Sequence, residues 1–283
     1  MSNKENSSRM EVNRREFLIK SLVVSGYALA VYPLAYSAIQ TDTEGIEVSD
    51  IQIPVGKLKI PGYVAFPKNN VSSPVLIICH EIFGVHEYIK DLCRRFAKLG
   101  FYTIAPYLYS RQGNVSNIKE IPDILKKIVS KVTNKQVNND IDATIKYVKA
   151  NSKADTNKIY VTGFCWGGKA SWLYAAHNAN IKAAIAWYGP LLSTEQTKEQ
   201  FPVDIAAKLK VPVLGLYGGK DARISQDHVE KMNKELEKSA SKSKIIVYPE
   251  AEHGFFADYR PTYNKMAADE ALREMLKWIK EHS

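Results

Sequence analysis

The sequence predicts an α/β fold: a mostly parallel central sheet covered by helices on both faces. Three observations point to it. From residue 46 onward, short apolar runs alternate with longer amphipathic stretches, as strands buried on both sides and their crossover helices require. Gly and Pro punctuate the boundaries, at Gly189-Pro190, Pro212 and Gly218-Gly219. Reactive residue types sit just after apolar runs, and ligands in such folds bind at the carboxyl ends of the strands.

The elements follow in order. Residues 46–53 and 58–66 read as an opening hairpin, and 75–79 as a buried central strand. Residues 86–99 form an amphipathic helix closed by Gly100, and 101–105 the next strand. Residues 118–130 and 138–150 are helical, the second repeating apolar positions at Ile141, Ile145 and Val148. A strand at 158–162, a helix at 166–177 and a strand at 181–187 come next. Strands at 211–217 and 244–248 flank a helix at 226–239, and a long helix over 263–282 closes the chain.

Composition narrows the function classes. Of the 283 residues, 45% are hydrophobic and 24% charged, an ordinary globular balance that one large domain over residues 45–283 can hold. The net charge of +9 comes from scattered Lys without an aromatic-rich basic tract, so a solvated surface is expected and no nucleic-acid partner. Cys79, Cys93 and Cys165 are too few and too far apart for a disulfide scaffold or a zinc site. Their odd number leaves at least one free thiol.

Residues 1–38 differ from the rest. A polar stretch leads into Arg14-Arg15-Glu16-Phe17-Leu18, and a mostly apolar run follows over 21–39. That is the layout of an export signal, and the paired Arg before Phe-Leu resembles the twin-arginine type. A general secretory signal or an uncleaved membrane anchor fits the same pattern, and a periplasmic location is expected. Five Lys/Arg and three Asp/Glu lie in this segment, so the rest of the chain keeps +7. The basic character belongs to the domain.

The strand at 158–162 runs into Gly163-Phe164-Cys165-Trp166-Gly167-Gly168, where a helix begins. This is a nucleophile elbow with Cys where the pattern usually has Ser. Small residues bracket the turn because it is too sharp for side chains, and the helix N-terminus favours the thiolate. The order nucleophile, acid, His is then met by Asp221, after the strand at 211–217, and His253, after the strand at 244–248. His253 would take the thiol proton and Asp221 would fix its tautomer. His80 and His86 fall in the first loop and are expected to support the site.

With His80-Glu81-Ile82-Phe83-Gly84-Val85, Ala105-Pro106-Tyr107-Leu108-Tyr109, the elbow and His253-Gly254-Phe255, the chain after residue 45 resembles the dienelactone hydrolase (carboxymethylenebutenolidase) family. The resemblance implies the α/β-hydrolase fold, with about eight mainly parallel strands, acting on an ester or lactone without cofactor or metal. It also implies site residues. Cys165, His253 and Asp221 match the triad, and Glu81 matches the carboxylate that contacts the resting thiol and helps activate it. The N–H groups of Ile82 and Trp166 match the oxyanion hole, while Arg111 and Arg260 match arginines that hold a substrate carboxylate. Gly254 stands where the dienelactone enzyme has a small hydroxylated residue.

The expectation is therefore a monomeric cysteine hydrolase of an anionic lactone, touching a membrane only through an uncleaved N-terminal segment. Two alternatives stay open: an esterase of neutral small esters with the same triad, and a non-catalytic binder of an anionic small molecule. A redox role is disfavoured by the absence of Cys-x-x-Cys.

Overall fold

A computed structural model describes residues 40–69, 72–193 and 198–283, so the expected export segment lies outside the described residues. Eight strands form one sheet in the order β1-β2-β4-β3-β5-β6-β7-β8. Strands β1 (Ile46–Val55) and β2 (Leu58–Pro67) are an antiparallel hairpin, and β2 also runs antiparallel to β4 (Tyr102–Pro106). From β4 outward, β3 (Ser73–Cys79), β5 (Ala154–Phe164), β6 (Ala183–Trp187), β7 (Val213–Gly218) and β8 (Lys244–Tyr248) are all parallel. Their carboxyl ends therefore share one edge of the sheet. The central strands read as continuous apolar runs because both faces are covered: every residue of β6 is buried.

The helices follow the apolar periodicity. In α1 (Glu87–Lys98) the buried positions Tyr88, Ile89, Leu92, Cys93 and Phe96 recur every three or four residues, and Gly100 leaves the helix at φ +97°. Helix α2 (Ile121–Lys127) is shorter than the expected 118–130. Pro122 is tolerated only in a first turn, and short 3₁₀ segments over Val115–Asn117 and Val129–Lys131 flank the helix. Helix α3 (Asn134–Lys149) starts four residues before the expected 138, because the Thr133 hydroxyl accepts the Gln136 N–H at 3.1 Å and caps it. Helix α4 (Trp166–His177) follows the elbow directly. A one-turn helix, α5 (Pro202–Ile205), was not expected. Helices α6 (Gln226–Leu236) and α7 (Lys265–Glu281) complete the chain, the latter capped by Asn264, which accepts the Ala267 N–H. No helix among the described residues is long and apolar enough to cross a membrane.

Candidate active site

The elbow is fixed by backbone approaches that only glycine permits. A Cβ on Gly163 would lie 2.0 Å from the Gly167 carbonyl oxygen, and one on Gly167 would lie 2.2 Å from that of Cys79. Cys165 between them is held at φ +53°, a left-handed conformation that an L-residue occupies only when its surroundings impose it. Its N–H donates to the Trp187 carbonyl at 2.9 Å, tying the turn to β6. The sulfur thus stands at the start of α4, where helix N–H groups have no intrahelical acceptors.

Loops after β7 and β8 bring the other two groups to it. Asp221 Oδ1 accepts the N–H groups of Arg223 (2.9 Å) and Ile224 (3.1 Å), which leaves Oδ2 for His253 Nδ1 at 2.8 Å. His253 Nε2 lies 3.3 Å from Cys165 Sγ. All three side chains are buried. Burial alone would raise the thiol and lower the imidazole, but each charge stabilises the other. Cys165 is pushed below its usual range, and His253, facing the thiolate and Asp221, is raised to about 9. Both shifts favour a thiolate–imidazolium pair. Burial also opposes ionisation of Asp221, yet His253 and the two backbone N–H groups hold its carboxyl below the usual range.

The loop after β3 supplies the opposite wall. His80 Nε2 accepts the Leu108 N–H at 3.1 Å, so Nδ1 carries the proton and donates to the Glu81 carbonyl at 2.7 Å. Burial keeps this imidazole neutral by lowering it to about 4. Its ring stacks on Trp166, with centroids 5.7 Å apart, and meets the edge of Tyr109. His80 therefore ties together the β3 loop that contains Ile82, the loop after β4 and the first residue of α4. Ile82 is buried in this loop, and Trp166 contributes an N–H free of intrahelical bonding.

Glu81 and both candidate arginines are engaged with protein groups. The fully buried Glu81 carboxylate accepts Arg260 Nη2 at 2.8 Å and the Tyr259 hydroxyl at 2.6 Å, with His86 Nε2 at 3.7 Å. Burial would raise Glu81, but Arg260, His86 and Tyr259 outweigh it and hold it at about 2. The thiol's hydrogen-bond partner is His253, while Glu81 and Arg260 act on it only through charge, with opposite signs. Arg260 is buried, with its guanidinium over the rings of Phe83 and Tyr259. Gly254, at φ +79°, makes room for it: a Cβ there would approach Arg260 Nη1 to 2.9 Å. Arg111 pairs instead with the buried Asp140 of α3.

The structure thus gathers Cys165, His253, Asp221, Glu81, Ile82, Trp166 and Arg260 at one sheet edge, and turns Arg111 to α3. Sequence reasoning missed Tyr188 and Tyr259. Tyr188 follows β6 directly, at φ +38°, and its ring packs edge-on against His253 with centroids 5.2 Å apart. Its position after a parallel strand was the available signal. Tyr259 had none beyond adjacency to Arg260. Among the described residues no group of three or more His, Cys, Asp or Glu could hold a metal ion.

Comparison with known proteins identifies the family. Residues 60–283 match the dienelactone hydrolase family. A protein of Methylorubrum extorquens named "Putative carboxymethylenebutenolidase" is 43% identical over 278 residues, covering 98% of this chain and 95% of its own length. One of the same name from Escherichia coli K12 is 44% identical over 260 residues, covering 91% of this chain and 96% of its own. A crystal structure described as a "Putative Dienelactone Hydrolase" from Klebsiella pneumoniae superposes with a TM-score of 0.81 at 46% identity, covering 83% of this chain and 98% of that one.

Proposed function

Because this chain belongs to the dienelactone hydrolase family, we propose that it hydrolyses ester or lactone bonds with Cys165 as nucleophile, His253 as proton carrier and Asp221 as its orienting anion. The observation that carries the reading is the unbroken line from Asp221 through His253 to Cys165, at 2.8 and 3.3 Å, built from the ends of β7, β8 and β5 at one sheet edge.

The Cys165 thiolate attacks the carbonyl carbon, forming a C–S bond while the carbonyl π electrons move to oxygen. The N–H groups of Ile82 and Trp166 receive that oxyanion, each such donor being worth roughly 3 kcal/mol in comparable sites. As the tetrahedral species collapses, the C–O bond breaks and the imidazolium of His253 protonates the leaving oxygen, which in a lactone stays tethered to the acyl group. His253 then takes a proton from water. The resulting hydroxide adds to the thioester carbon, and the C–S bond breaks to return the thiolate. Asp221 keeps Nδ1–H directed at itself, so that Nε2 faces sulfur throughout. Glu81 and Arg260 supply a charge-balanced wall beside the thiolate.

Alkylation by iodoacetamide at neutral pH tests this reading. Cys79 and Cys93 are fully buried and pushed up to about 12, so one adduct, at Cys165, is expected by mass spectrometry. Ester turnover should disappear in step with it. Full labelling of Cys165 with turnover intact would overturn the assignment.

Residues 1–38 direct export in this proposal, supported by the Arg14-Arg15 pattern. The Methylorubrum match covers 98% of the chain and therefore extends into this segment.

A further inference from the structure

We infer that His80 is a positioning residue for the reaction: its imidazole fixes the Glu81–Ile82 peptide plane and thereby aims the Ile82 N–H at the oxyanion. The inference rests on the hydrolase reading above and concerns how that site holds one of its two oxyanion donors.

The Glu81 carbonyl and the Ile82 N–H are the two ends of one planar trans peptide, so they point in opposite directions and turn together. Whatever holds the oxygen therefore aims the hydrogen. Two groups hold it. The Gly84 N–H donates to the Glu81 carbonyl oxygen at 3.2 Å, closing a tight turn with Gly84 at φ +73°. His80 Nδ1–H donates to the same oxygen at 2.7 Å, the shorter of the two bonds. Both lone pairs of that oxygen are thus engaged, and swinging the peptide would break two buried hydrogen bonds at once. At the other end of the plane, the Ile82 N–H has no acceptor among the described residues, although Ile82 is buried. An unpaired buried amide costs free energy, and an oxyanion hole is where that cost has a use. A donor on the carbonyl also polarises the peptide and strengthens its N–H as a donor.

His80 cannot reverse its roles. Its Nε2 accepts the Leu108 N–H at 3.1 Å, so the proton stays on Nδ1. Burial lowers this imidazole to about 4, which keeps it neutral and Nε2 an acceptor across the neutral pH range. The same ring stacks on Trp166, whose N–H is the second donor, with centroids 5.7 Å apart. The backbones meet as well: a Cβ on Gly167 would lie 2.6 Å from the His80 carbonyl oxygen. His80 therefore touches the segments of both donors.

The test separates the two hydrogen bonds of this ring in the full chain. His80→Asn places an amide nitrogen near the position of Nδ1 and keeps a donor for the Glu81 carbonyl. His80→Gln places its amide near Nε2 and keeps only the Leu108 bond. Each variant is assayed beside the wild type for 4-nitrophenyl acetate hydrolysis and for the rate of Cys165 alkylation by iodoacetamide. Alkylation displaces iodide from a saturated carbon and forms no oxyanion, so it reports the fold and the thiolate without the donors. The expected result is a loss of about tenfold or more in kcat/KM for His80→Gln and less than about threefold for His80→Asn, with both alkylated at the wild-type rate. Wild-type turnover by His80→Gln would overturn the inference. Equal losses in the two variants, with or without slower alkylation, would overturn it too, because a merely structural role does not distinguish them. No turnover by the wild type, at a Cys165 that still alkylates, would instead count against the hydrolase reading and take this inference with it.

Discussion

Glu81 and His253 are shifted from their ordinary values in opposite directions, and together they shape the dependence of stability on pH. Glu81 is held at about 2 against an ordinary 4.5, so its stabilisation is present above 4.5 and lost as pH falls below it. His253 is raised to about 9 from 6.5, so its contribution is complete below 6.5 and lost as pH rises through 9. Because Cys165 gives up the proton that His253 keeps, the pair binds as many protons folded as unfolded between 6.5 and 9, so thermal midpoints should fall at the acid end as Glu81 protonates and at the alkaline end as pH rises through about 9; replacing His253 by Gln should flatten the alkaline limb. Glu81→Gln leaves the buried Arg260 guanidinium without its counter-charge and is expected to cost about 3–5 kcal/mol in denaturant unfolding. Tyr188 offers a contrast. Its hydroxyl is buried with no hydrogen-bond partner among the described residues, so Tyr188→Phe should leave stability unchanged or raise it by roughly 1 kcal/mol.

At the scale of elements, the strand–turn–helix from β5 to α4 bears the strictest constraint. Gly163→Ala would push a methyl into the Gly167 carbonyl, where backbone on both sides leaves no room to yield. We expect such a variant to be recovered poorly, and any soluble fraction to lose iodoacetamide reactivity at Cys165, because the turn that lifts the sulfur would reopen. Gly254→Ala meets a milder obstacle, the end of the Arg260 side chain together with a positive φ. It should cost about 1–2 kcal/mol by thermal melt while the fold persists.

At the scale of the whole molecule, the parallel strands bring groups from residues 81, 165, 221 and 253 to one edge, and little else in the chain competes for that role. Large exposed apolar side chains, among them Leu58, Leu99, Leu125 and Met266, lie singly on separate elements of the chain. We therefore expect the chain without residues 1–38 to elute as a monomer at micromolar concentration. Replacing both Arg14 and Arg15 by Lys should leave the precursor in the cytoplasm if the twin-arginine reading holds. Unchanged periplasmic accumulation would point to the general secretory route.

The sequence by itself determined the order and type of the strands and the identities of the thiol, carboxylate and imidazole. These rest on local physics: apolar runs for doubly covered strands, glycines where a turn admits no side chain, and one reactive residue after each of three strands. It also marked Glu81 and the arginines as charges near the site. Only the tertiary structure decided what those charges face. Arg260 and Glu81 are 179 positions apart, and Arg111 and Asp140 are 29 apart, so no local pattern could reveal that each guanidinium is answered by a protein carboxylate. The limits of α2 and α3 were likewise set by a proline and a threonine cap that the apolar periodicity did not register. Tyr188 was hidden for the same reason: its ring meets His253 only after β6 and β8 take their places in the sheet.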